Sequence, residues 1–153
     1  MTPRTCRAPA PGTTPPAPHP RARPAGRAPA SAAVLLLPPA LEAFHILHND
    51  VYSAYAHAHL PEDAAATAVR TTFRALNANW PYLLDQPNLT ALAWEELVLR
   101  SQSRRHPLPL ANTSNPLQYD AVVLTQLGLT PQHIADATGQ HISTIRYLLT
   151  PRT

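Results

Sequence analysis

Residues 130–149 read TPQHIADATGQHISTIRYLL, from Thr130 to Leu149. The stretch holds the parts of a helix-turn-helix: a short first helix, a tight turn relieved by glycine, and a second helix packed steeply across the first. Thr130-Pro131 places a cap before a first-turn proline, whose missing N–H costs nothing there. Ile134 supplies an apolar anchor beside the small Ala135, which lets the two helices approach. Gly139 follows four residues after Ala135, where a left-handed backbone makes the turn. Ile145 and Leu148 face back into the junction, completing a motif core of Ile134, Ala135, Gly139, Ile145 and Leu148. The remaining side chains are expected to face DNA: Gln132 and His133 on the first helix, then Gln140, His141, Ser143, Thr144, Arg146 and Tyr147. They are rich in groups that bond base edges or phosphates. An ordinary helix hairpin explains the glycine alone, but the joint spacing of Thr-Pro, Ile-Ala, Gly and Ile-x-x-Leu favours the DNA-binding motif. Thr138 stands where an apolar residue is usual. With Arg146 the one arginine in the motif, phosphate attraction is expected to be weak and the salt dependence shallow.

Moving toward the N-terminus, Asn115-Pro116 repeats the cap-then-proline device, and Leu117, Ala121, Leu124 and Leu127 form an apolar stripe that Gly128 ends. Residues 104–115 show no periodicity, two prolines and a polar end, which predicts a linker. Before it, three helical stripes are predicted. Leu41, Phe44, Leu47, Val51, Tyr55 and Ala58 form the first, and Ala65, Val69, Phe73, Leu76 and Trp80 the second. Pro81 opens a short helix through Leu84; Leu89, Ala93 and Leu97 then lie beside Leu92, Trp94 and Val98 in a third long helix. No strand-like alternation occurs. The predicted fold class is all-α: a disordered Pro/Arg/Ala-rich tail over 1–38, a small helical bundle over 39–103, the linker over 104–115, and the helix-turn-helix over 116–153. A unit of the last size is marginal alone, so it should lean on the bundle or dimerise.

Eleven of the 19 prolines lie in residues 1–40, which marks the change of character near position 40. The tail holds five arginines and no acid, residues 41–115 carry five arginines against seven acids, and residues 116–153 are neutral. The basicity of the chain therefore belongs to the tail and does not predict a basic face on the folded part. There is no lysine, as a GC-rich coding sequence produces. The tail reads as an inert extension in preference to an arm that contacts phosphates. Cys6 is the single cysteine, so no internal disulfide or cysteine-based zinc site can form, which fits a cytoplasmic location. The apolar run Ala32–Leu37 is cut by Pro38-Pro39 and is too short for a bilayer.

No metal or other cofactor is expected. His45 and His48 share a helix face near Asp50, with His57 and His59 beyond, but no third ligand has the spacing of a metal site. A solvated helix face accounts for them. Glu95 and Glu96 point apart on a helix and cannot share a substrate. With no nucleophile elbow or phosphate loop, the chain does not read as an enzyme.

Taken together, these residues resemble a bacterial sigma factor of the extracytoplasmic-function type, or one of its actinomycete sigma-like helix-turn-helix relatives. Phe44, Val51-Tyr52, Tyr55-Ala56, Ala65, Phe73-Arg74-Ala75-Leu76, Trp80 and Ala93-Trp94-Glu95-Glu96-Leu97 are similar to the layout of region two. Gln118 to Leu124, Ile134-Ala135, Gly139 and Ser143-Thr144-Ile145-Arg146 resemble region four. The resemblance implies a sequence-specific DNA-binding transcription factor, acting in initiation or its regulation. Its implied partners are duplex DNA, RNA polymerase core, and an anti-sigma or other protein. Where family members carry an acidic pair and a glutamine for polymerase contact, this chain has Ala66, Thr67 and Arg70. The alternative expectation is a helical interaction module derived from that scaffold, without promoter recognition. Twelve linker residues span at most about 40 Å, whereas elements two helical turns apart on DNA lie about 70 Å from each other.

Overall fold

The computed structural model describes residue 12, residues 37–110 and residues 113–151. Apart from Gly12, Leu37 and Pro38, the tail expected over 1–38 lies outside these residues, Cys6 included. The described residues form α-helices and no strand: α1 Pro39–His59, α2 Glu62–Ala78, α3 Trp80–Leu84, α4 Leu89–Ser101, α5 Pro116–Gln126, α6 Pro131–Thr138 and α7 Ile142–Leu149. None is long and apolar enough to cross a membrane.

Prolines, asparagines and left-handed residues set the ends. α1 stops where Leu60 turns extended ahead of Pro61, because the proline ring excludes the helical conformation from the residue before it. Glu62 and Asp63 occupy the first turn of α2, where carboxylates meet the positive end of the helix. Asn88 Oδ1 caps α4 by accepting the Ala91 N–H at 3.0 Å, and α4 ends at Gln102 with φ 52°. Asn115 Oδ1 caps α5 through the Gln118 N–H at 2.8 Å. At the far end of α5, Gly128 takes φ 87° and the Leu129 N–H returns to Leu124 O at 3.1 Å.

The second expected stripe is buried throughout, although α2 carries it only as far as Leu76 and its last member, Trp80, opens α3. On α1 the buried face is rotated from the expected one: Leu47 is 71% exposed, while His48 and Tyr52 are inside. Aromatic area decides this. Tyr52 stacks on Phe73 at 5.6 Å and meets Trp94 edge-on at 5.8 Å, a larger apolar contact than a leucine makes there. The expected solvated histidine face is accordingly corrected for His48, which packs 4.2 Å from the Phe44 ring, and for the half-buried His59.

Leu36–Thr153 forms one compact unit. Its core runs without interruption from Tyr52, Phe73 and Trp94 to Ala121, Leu124, Ile134 and Ile145. α4 packs against α1, α2 and α6, while α5 and α6 pack on α7. The segment expected as a linker is non-helical in its described residues, 104–110 and 113–115, but it does not separate two bodies. Arg104 bonds to Asp120 on α5, and the Leu108 N–H donates to the Tyr119 hydroxyl at 2.9 Å.

Candidate nucleic-acid interface

α6, the turn at Gly139 and α7 are built from the residues singled out in the sequence. Ile134 and Ile145 are wholly buried, Ala135 and Leu148 nearly so. Thr130 caps α6 by accepting the His133 N–H at 3.3 Å. Gly139 adopts φ 66°, and its own N–H and that of Gln140 both turn back to Ala135 O. Thr138 is buried, and its hydroxyl donates to Ile134 O at 2.7 Å. Its polar group is thereby satisfied inside the helix, so threonine serves where an apolar residue was expected.

The candidate contact residues divide into three groups. Arg146, Tyr147, Ser143 and His133 are exposed. Thr144 and Gln140 are half-buried, so they present only part of their side chains outward. His141 is exposed but occupied: its Nδ1 accepts the Ser143 N–H at 3.3 Å and lies 2.7 Å from Ser143 Oγ, so it caps α7. Gln132 donates to Asp136 at 2.9 Å along α6. Among the described residues no carboxylate pairs with Arg146, leaving it the guanidinium that α7 presents to solvent.

A buried polar cluster carries α5, and α5 carries α7. Asp120 has no exposed surface, yet both carboxylate oxygens are bonded. Tyr55 Oη donates to Oδ1 at 2.6 Å; Oδ2 accepts Trp94 Nε1 at 3.0 Å and Arg104 Nη2 at 2.7 Å. Arg104 also grips Glu95 with two bonds of 2.7 and 2.8 Å. Burial works against the Arg104 charge, but the bonds to Glu95 and Asp120 outweigh it and raise its pKa. Burial first, and then Asp120, push the Tyr55 phenol up, so it stays protonated and donates. The Tyr55 proton being spent, the Ser103 hydroxyl 2.9 Å away supplies its own. Beside this cluster, Tyr119 Oη lies 2.7 Å from His59 Nε2, while His59 Nδ1 donates to Tyr55 O at 2.8 Å. α5 is thus joined to α1 and α4 by bonds as well as by apolar contact.

Two contacts hold α7, one at the turn before it and one on the helix itself. Asn88 Nδ2 donates to Gly139 O at 2.7 Å, just before α7, and Gln118 Nε2 donates to Leu148 O at 3.1 Å near its end. Gly139 lies so close to α4 that a Cβ there would stand 2.4 Å from Ala91 N and 2.6 Å from Asn88 Oδ1. Sequence reasoning singled out neither Asn88 nor the buried bonds of Asp120. The signal available for Asn88 was its position before the apolar run from Leu89, which marks a cap; its second bond spans 51 residues and has no local trace. An acid on a helix face otherwise lined by Ala121 and Leu124 was the corresponding signal for Asp120. Among the described residues no group of three or more His, Cys, Asp or Glu side chains is placed to hold a metal ion. Compared with models of known protein families, with characterised proteins and with solved structures, the chain matches none.

Proposed function

We propose that this chain is a sequence-specific DNA-binding transcription factor of sigma-factor type, reading duplex DNA through α7. One observation carries the reading: the motif core is closed, while Ser143, Arg146 and Tyr147 are exposed on α7. An eight-residue helix held across a second one by a left-handed glycine has the form that enters a major groove. Arg146 supplies the donor fork for a guanine edge or a phosphate. RNA polymerase core is the proposed second partner, through the bundle of α1 to α4. Retention of the full chain on duplex DNA tests the reading. Wild type is expected to bind at low salt and Arg146→Ala to bind about tenfold more weakly, the loss of one bidentate contact. No retention of folded wild-type protein at low salt would sink it. Such a result, with a helical partner captured in its place, would favour the interaction-module alternative.

A further inference from the structure

We propose that Asn88 is a positioning residue for the DNA-reading helix, clamping the turn to the bundle so that the whole body offers α7 to one contiguous stretch of duplex. The inference rests on the DNA-binding reading above and specifies the kind of site read. Asn88 uses both ends of its side chain: Oδ1 holds the first turn of α4 through Ala91 N–H, and Nδ2 holds Gly139 O. The same amide group therefore ties the start of α4 to the turn between α6 and α7. Gln118 fixes the other end of α7 at Leu148 O. Backbone meets backbone at the clamp, since no Cβ fits at Gly139 against Ala91. Below it, α4 packs on α6 and shares Asp120 with α5. A helix held in this way does not swing to a distant element independently of the bundle. α7 has eight residues, about 12 Å of helix at 1.5 Å each, which matches about four base pairs of groove.

Two measurements on the full chain test this. Selection from a pool of randomised duplexes is expected to return one contiguous block of about four to six base pairs. Two blocks separated by a helical turn or more would overturn the proposal. Asn88→Ser keeps an acceptor for Ala91 N–H but removes the amide donor to Gly139 O. It is expected to weaken binding to the selected duplex by about fivefold, leaving binding to bulk duplex unchanged and lowering the thermal midpoint by only a few degrees. Asn88→Asp, a strong cap without the donor, should show the same split. A purely structural role would lower both kinds of binding together, and unchanged selectivity in both variants would show that the clamp does not position α7. If wild type selects no sequence and binds no duplex, the DNA-binding reading itself fails, a result separable from either outcome.

Discussion

His48 shows what burial does to a single titratable group. Its ring is 4% exposed, 4.2 Å from Phe44 and 5.7 Å from Tyr52. Desolvation lowers its pKa below the ordinary value of 6.5, and the negative charge of Asp136 on α6 offsets part of that shift. As the pH falls, the unfolded chain therefore takes up this proton before the folded one does. The stability held by a neutral His48 is complete above about pH 6.5; it falls as the pH drops through that value and levels once the folded pKa is passed. Urea unfolding between about pH 8 and pH 5, which brackets the ordinary histidine value, should show a midpoint that declines toward acid. His48→Phe should flatten that decline, whatever it does to the midpoint itself. An unaltered slope in the variant would mean that other groups carry the acid sensitivity.

At the scale of elements, the α6–turn–α7 unit separates two costs that glycines bear. Gly128 and Gly139 both take left-handed φ angles, 87° and 66°, but only Gly139 is crowded, by Ala91 and Asn88. Gly128→Ala should therefore cost the backbone penalty alone, about 1 kcal/mol. Gly139→Ala adds displacement of the α4 backbone and should cost about 2–4 kcal/mol. Denaturant midpoints of the two variants measure the difference. Equal losses would mean that α4 yields freely and that the clamp is soft. This unit was the most legible part of the chain, because caps, stop and buried positions lie within twenty residues of one another. Its surface was less so: the ring of His141 turned to capping, since the free N–H groups at the start of α7 need acceptors, and Gln140 is half-buried.

Across the whole molecule, the cluster around Asp120 makes one folding unit out of helices far apart in sequence. Removing its charge leaves Arg104 with one carboxylate fewer and exchanges an acceptor for an amide in a site arranged around donors. Asp120→Asn is expected to cost about 3–5 kcal/mol. The loss should appear at the same denaturant concentration by tryptophan fluorescence, which reports Trp80 and Trp94 in the bundle, and by helical circular dichroism, which also counts α5 to α7. Two separated transitions would show that the halves fold independently. Residues 116–153 bring too little core to stand alone; burial of Ile134 and Ala135 against the bundle through α4 supplies what they lack.

The sequence by itself determined the helices, the caps at Asn115 and Thr130 and the motif core, because these depend on neighbours three or four residues apart: Asn115 with Gln118, Thr130 with His133, Ala135 with Gly139. It also located the change of composition near residue 40 and the near absence of charge on the reading helix. Tertiary structure alone decided which face of α1 is buried, where aromatic contacts with Phe73 and Trp94 put His48 and Tyr52 inside and left Leu47 in solvent. It alone decided that the bundle and the helix-turn-helix share one core. The bonds responsible, Asn88 to Gly139 and Tyr55 to Asp120, join residues 51 and 65 positions apart. No periodicity or local propensity carries information over such distances; those contacts exist only once the chain has closed on itself.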